Sequence, residues 1–84
     1  MARLAFTNRI RTLRFLAGEM TQAELGEAIG VTRQTIAAIE AGKYSPTLEA
    51  AFRIARVFGK PLDAVFQWND SADPAAPPGE PGQP

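Results

Sequence analysis

Cysteine and histidine are both absent from this 84-residue chain. Without cysteine, neither a disulfide framework nor a thiolate metal site can compensate for small size. Without histidine the commonest general base and the commonest metal ligand are missing too, which excludes most hydrolytic and metal-dependent chemistry. The sequence also offers no nucleophile with a base beside it, no paired carboxylates in reach and no glycine-rich phosphate loop, so no enzyme and no cofactor are expected. No apolar run approaches the ~20 residues of a membrane span, and the N-terminus lacks the apolar stretch of a secretory signal. A cytoplasmic protein of one domain, with no membrane partner and no evident small-molecule ligand, is the expectation.

An excess of either charge is lacking as well, since nine Lys and Arg balance nine Asp and Glu. The balance is uneven along the chain. Residues 1–68 hold all nine cations but only Glu19, Glu24, Glu27, Glu40, Glu49 and Asp63, which is 9 minus 6, or +3, while Asp70, Asp73 and Glu80 follow. A modestly positive domain is compatible with phosphate contact. From Asn69 onward the run NDSADPAAPPGEPGQP has five prolines and nothing large and apolar to bury, so 69–84 is expected to be a disordered tail that either solubilises or docks a partner.

Between Thr7 and Phe66 the apolar residues recur at helical spacing and are punctuated by caps, which predicts a bundle of five short helices. The first begins near Thr7, turns Ile10, Leu13 and Leu16 or Ala17 inward, and ends at Gly18. Thr21 and Glu24 form a capping box for the second, which buries Leu25, Ala28 and Ile29 and stops at Gly30. Thr32 caps a third helix over 32–40, closed by Gly42. Ser45, Pro46 and Thr47 make the turn and cap of a fourth, whose Leu48, Ala51, Phe52, Ile54, Ala55 and Phe58 are spaced to face the others. Pro61 fits the first turn of a short fifth, and Val65, Phe66 and Trp68 read as an extended segment.

Two short helices joined at Gly30 and Val31 match a helix-turn-helix, whose turn sets the helices at roughly 90–120°. Leu25, Ile29, Val31, Ile36 and Ile39 are the positions that lock this angle, and all are apolar. Gly26 falls at the expected crossing, despite an interior helix cost of about 1 kcal/mol relative to Ala. The outward face of the third helix then carries Arg33, Gln34 and Ala38 as candidate base readers. Arg can fork onto guanine O6 and N7, Gln onto adenine N6 and N7, and a low Ala can meet a thymine methyl. The alternative is a solvated polar face. Gln22, at the first turn of the second helix, and the loop Lys43, Tyr44 and Ser45 are candidates for phosphate contact, with Tyr44 equally suited to cover its loop.

These residues carry a resemblance. The segment TQAELGEAIGVTRQTIAAIEAGKYSPTLEAAFRIARVFGKPLDAVF is similar to the Cro/C1-type, or Xre-like, helix-turn-helix domain, over about residues 8–66 with a core about 10–64. The resemblance implies an all-α, lambda-repressor-like five-helix bundle that acts as a DNA-binding repressor or activator, usually as a homodimer on an inverted-repeat operator of double-stranded DNA. It implies DNA contact by Gln22, Arg33, Gln34, Ala38 and Lys43, with Thr32 and Thr35 among the backbone contacts, and a structural ion pair between Arg14 and Glu40. Two departures stand out: the link near 17–20 is one residue longer than usual, and Ala41 stands where asparagine is common. The ending VFQWN resembles the shortest members, such as the cytolysin repressor, which add a small antiparallel sheet. On that likeness residues 3–6 form a strand, Leu4 and Phe6 pair with 65–68, and Val65, Phe66 and Trp68 build a two-fold dimer interface, unless these aromatics merely cap their own core. The leading expectation is a sequence-specific transcriptional repressor. The competing one is an antitoxin-like or adaptor module that docks a protein and binds DNA weakly.

Overall fold

A computed structural model describes residues 4–69; the expected tail lies outside them, apart from Asn69. The chain runs β1 (Phe6–Asn8), α1 (Ile10–Leu16), α2 (Gln22–Ile29), α3 (Arg33–Glu40), α4 (Leu48–Phe58), α5 (Leu62–Val65) and β2 (Phe66–Trp68). Five helices and a two-stranded antiparallel sheet thus account for the regular structure among the described residues.

The starts of α2, α3 and α4 follow from their caps. Thr21 and Glu24 form the reciprocal box, with each side chain accepting the other residue's backbone amide. Thr32 Oγ1 accepts the Thr35 amide and Thr47 Oγ1 the Ala50 amide, at 3.1 and 3.0 Å. The stops of α1 to α4 follow from chain reversal at left-handed glycines, while α5 runs directly into β2. Beyond α3, Gly42 takes φ +74°, and the Gly42 and Lys43 amides return to the Ile39 and Ala38 carbonyls.

The core joins Ile10 of α1, Leu25 and Ile29 of α2, Ile36 and Ile39 of α3, Ile54 and Ala55 of α4, and Val65 of α5. Leu25, Ile36, Ile54 and Val65 are wholly shielded from solvent, each burial being worth about 1.5–3 kcal/mol. Because α2, α3 and α4 each contribute to one apolar cluster, the angle between α2 and α3 is held from behind by α4.

Several expectations are corrected. The first helix starts at Ile10 rather than Thr7, because Thr7 and Asn8 are drawn into the sheet, where Phe6, Thr7 and Asn8 face Trp68, Gln67 and Phe66. The strand is therefore Phe6–Asn8 and not 3–6; Leu4 is outside it and Arg3 is outside the described residues. Leu16, Ala17 and Ala28 are exposed instead of inward, and so are Leu48 and Phe52. Of the nearly two turns of α1, only Ile10 and Leu13 meet the core. Val65 closes α5 and is buried within the single chain, so it belongs neither to the strand nor to a dimer surface.

The longer link has its own solution. Gly18 and Glu19 take consecutive left-handed conformations, φ +86° and +59°, and the Met20 amide turns back to the Arg14 carbonyl at 2.9 Å. A non-glycine residue there costs roughly 1–2 kcal/mol. The Met20 carbonyl is left facing Arg14, whose Nη1 donates to it at 2.7 Å.

Candidate nucleic-acid interface

Glycine, valine and threonine in sequence make the turn that presents α3. Gly30 takes φ +83°, its amide and that of Val31 both donate to the Gly26 carbonyl at 2.8 Å, and Thr32 caps the next helix. A methyl group at Gly26 would stand 2.7 Å from the Val31 carbonyl oxygen and 3.1 Å from that of Thr32, so the crossing needs a residue with no side chain.

With Ile36 and Ile39 turned inward, α3 leaves Arg33 and Gln34 exposed at its first turn. Ala37 and Ala38 are half-buried behind them and keep that side of the helix low. Arg33 makes no ion pair among the described residues, so its guanidinium donors are available. Thr32 and Thr35 lie at the same end. Their hydroxyls are 3.0 Å apart, and Thr32 Oγ1 also accepts the Thr35 amide, which leaves one hydroxyl hydrogen between them to donate outward. Lys43, Tyr44 and Ser45 are all exposed on the loop that Gly42 folds back beside α3.

Glu40, at the other end of α3, organises the floor beneath this face. Arg14 Nε donates to its Oε2 at 2.6 Å and Nη2 to its Oε1 at 3.1 Å, a forked pair with only 15% and 10% of the two side chains exposed. Gln22 Nε2 also donates to Glu40 Oε1, at 3.2 Å. Arg14, through Glu40 and the Met20 carbonyl, therefore ties α1, the link before α2 and the end of α3 together. Gln22 is half-buried and anchored here, with its amide oxygen free to accept.

The profile of the helix-turn-helix family HTH_3 matches residues 10–65, two thirds of the chain and every helix just described. The protein belongs to the HTH_3 family. Among relatives of this HTH_3 domain is an uncharacterized HTH-type transcriptional regulator of Methanocaldococcus jannaschii, 44% identical over 63 residues that span 75% of this chain and 94% of that protein. A second, YgzD of Bacillus subtilis, is likewise an uncharacterized HTH-type transcriptional regulator, 46% identical over 70% of this chain and 88% of its own. The cryptic phage CTXphi transcriptional repressor RstR of Vibrio cholerae is 37% identical over 68% of this chain and 50% of its own. In fold, the HTH_3 domain is similar to a crystal structure from Bacteroides fragilis, of a protein whose assignment as DNA-binding is itself provisional. The TM-score is 0.64 at 21% identity, with 73% of this chain and 97% of that one covered.

Sequence reasoning about the HTH_3 domain missed Asn8. Its Oδ1 accepts the Ile10 amide at 3.1 Å while its Nδ2 donates to the Ile39 carbonyl at 3.0 Å, so one side chain starts α1 and holds the end of α3. Asn8 stands one residue ahead of the N-cap position, which Arg9 holds without a side-chain cap, and its second bond spans 31 positions and has no local signature. Away from α3 the sheet borders an open apolar groove of about 710 Å³ lined by Phe6, Pro46, Leu48, Leu62, Phe66 and Trp68. Phe66 packs edge-on against Phe6, centroids 5.9 Å apart, and covers its own core, whereas Trp68 stays 60% exposed. Among the described residues no helix is long and apolar enough to cross a membrane.

Proposed function

We propose that this protein is a sequence-specific DNA-binding transcriptional regulator that inserts α3 in the major groove. The observation that carries the reading is the solvent-facing, ion-pair-free Arg33 beside Gln34 on the first turn of a helix whose other side is locked in the core. Arg33, Gln34 and Ala38 meet base edges. Gln22, Thr32, Thr35, Lys43, Tyr44 and Ser45 meet the phosphates that set register. The relatives, named as transcriptional regulators, support regulation, and RstR, named as a repressor, supports repression, which occupancy of a promoter would accomplish. Such a regulator works where the DNA is, in the cytoplasm.

One recognition helix covers a half-site, so the functional unit is a two-fold homodimer on an inverted repeat. Its contact surface includes the exposed Trp68, the outer edge of Phe66 and the apolar groove beside them. Selection from random duplex DNA, followed by titration at several salt concentrations, tests the whole proposal. The expected result is an inverted repeat with half-sites about 10 base pairs apart, or a multiple of that, and a steep fall of affinity with salt. Absence of enrichment together with salt-insensitive binding overturns it in favour of a protein-docking adaptor.

A further inference from the structure

Two arginines at the start of α1 stand outside every role described so far. Arg9 and Arg11 are exposed, and neither makes an ion pair among the described residues. They border an open cleft of about 300 Å³ whose other walls include Thr12 of α1, Gln22 of α2, Ala37 of α3 and Ala41 in the loop after it. The cleft thus runs from α1 directly onto the recognition helix. Glu40 lines it as well, but its carboxylate is already neutralised by the forked pair with Arg14. The uncompensated charge facing the cleft is therefore that of Arg9 and Arg11, both positive.

We propose that Arg9 and Arg11 form a phosphate clamp, gripping the DNA backbone beside the segment read by α3. The inference rests on the DNA-binding reading above and adds a fourth backbone contact region to the starts of α2 and α3 and the loop after α3. Ala37 and Ala41 make one wall low, so a sugar-phosphate strand can approach, and a guanidinium matches two phosphate oxygens at once. Arg9 is also held in place at the backbone, where its amide donates to the Val65 carbonyl at 2.8 Å, so the clamp sits on the packed body of the domain. The clamp reads no sequence. Its contribution is affinity and salt dependence shared by all duplexes.

The test compares the full chain with a double variant, Arg9→Gln and Arg11→Gln, on both the selected operator and a random duplex over a salt series. A control removes the same charge elsewhere, through Arg56→Gln and Lys60→Gln near the end of α4, outside the cleft. The clamp predicts that R9Q/R11Q flattens the slope of log affinity against log salt by about 1.8, since each phosphate contact contributes about 0.9. The loss is similar on both duplexes, sequence preference is unchanged, the R56Q/K60Q slope changes by much less, and R9K/R11K recovers most of the wild-type slope. If R9Q/R11Q is no flatter than R56Q/K60Q while the wild type binds steeply, the clamp is overturned and the DNA-binding reading stands. If the wild type shows no salt-dependent binding to any duplex, the DNA-binding reading itself falls and takes the clamp with it.

Discussion

At the scale of single residues, the interface divides into side chains that are free to act and side chains engaged in holding the frame. Arg33 and Lys43 belong to the first group. Arg33→Ala is expected to relax discrimination at one base pair per half-site by about 1–3 kcal/mol, whereas Lys43→Ala weakens every duplex alike and lowers the salt slope by about 1. Parallel salt titrations on operator and single-base variants check this, and uniform loss in both proteins would remove Arg33 from base reading. Glu40 belongs to the second group. Glu40→Ala leaves the largely buried Arg14 guanidinium without its forked acceptor and frees the Gln22 amide, so a stability loss near the lower end of about 3–5 kcal/mol is expected, read from urea unfolding. Both partners keep some solvent contact, which places the loss low in that range.

At the scale of elements, the spacing of α2 and α3 hangs on Gly26. Gly26→Ala would gain about 1 kcal/mol in helix propensity at an unconstrained site. Here the added methyl meets the Val31 carbonyl oxygen at 2.7 Å, a backbone atom in a turn that cannot rotate away. Overpacking of this kind costs typically 1–3 kcal/mol, so the substitution is expected to lower the urea midpoint; a midpoint that rises would refute the close approach. The helix boundaries that were legible are those written in short-range chemistry: the Thr21–Glu24 box, the Thr32 and Thr47 caps, and the glycines at 30, 42 and 59. The start of α1 was not, because Thr7 and Asn8 answer to β2, about 60 positions away, rather than to their neighbours.

At the scale of the whole molecule, the outer side of the sheet and of α4 remains apolar after the core is filled. Leu48 is 68% exposed at the head of α4, beside the groove that Trp68 also lines. Periodicity marked Leu48 and Phe52 as core because helical spacing reports which residues share a face, not how much of that face the rest of the chain can cover. Trp68→Lys, at a position too exposed to support the core, is expected to shift sedimentation from dimer to monomer. It should reduce affinity for the inverted repeat by tenfold or more while leaving binding to a single half-site nearly unchanged. A dimer that survives the substitution would place the two-fold contact elsewhere.

The sequence by itself determined the helix-turn-helix, its caps and glycine turns, and the apolar positions that set α3 against α2, because each depends on residues within a turn or two of one another. It also indicated the Arg14–Glu40 pair through family resemblance alone. Only the tertiary structure decided that Val65 is core rather than surface, that Asn8 bridges to Ile39, that Gln22 leans on Glu40, and that Arg9 and Arg11 share a cleft with α3. Those facts depend on which distant segments meet, and the meeting is set by packing several elements into one small core, which no local pattern encodes.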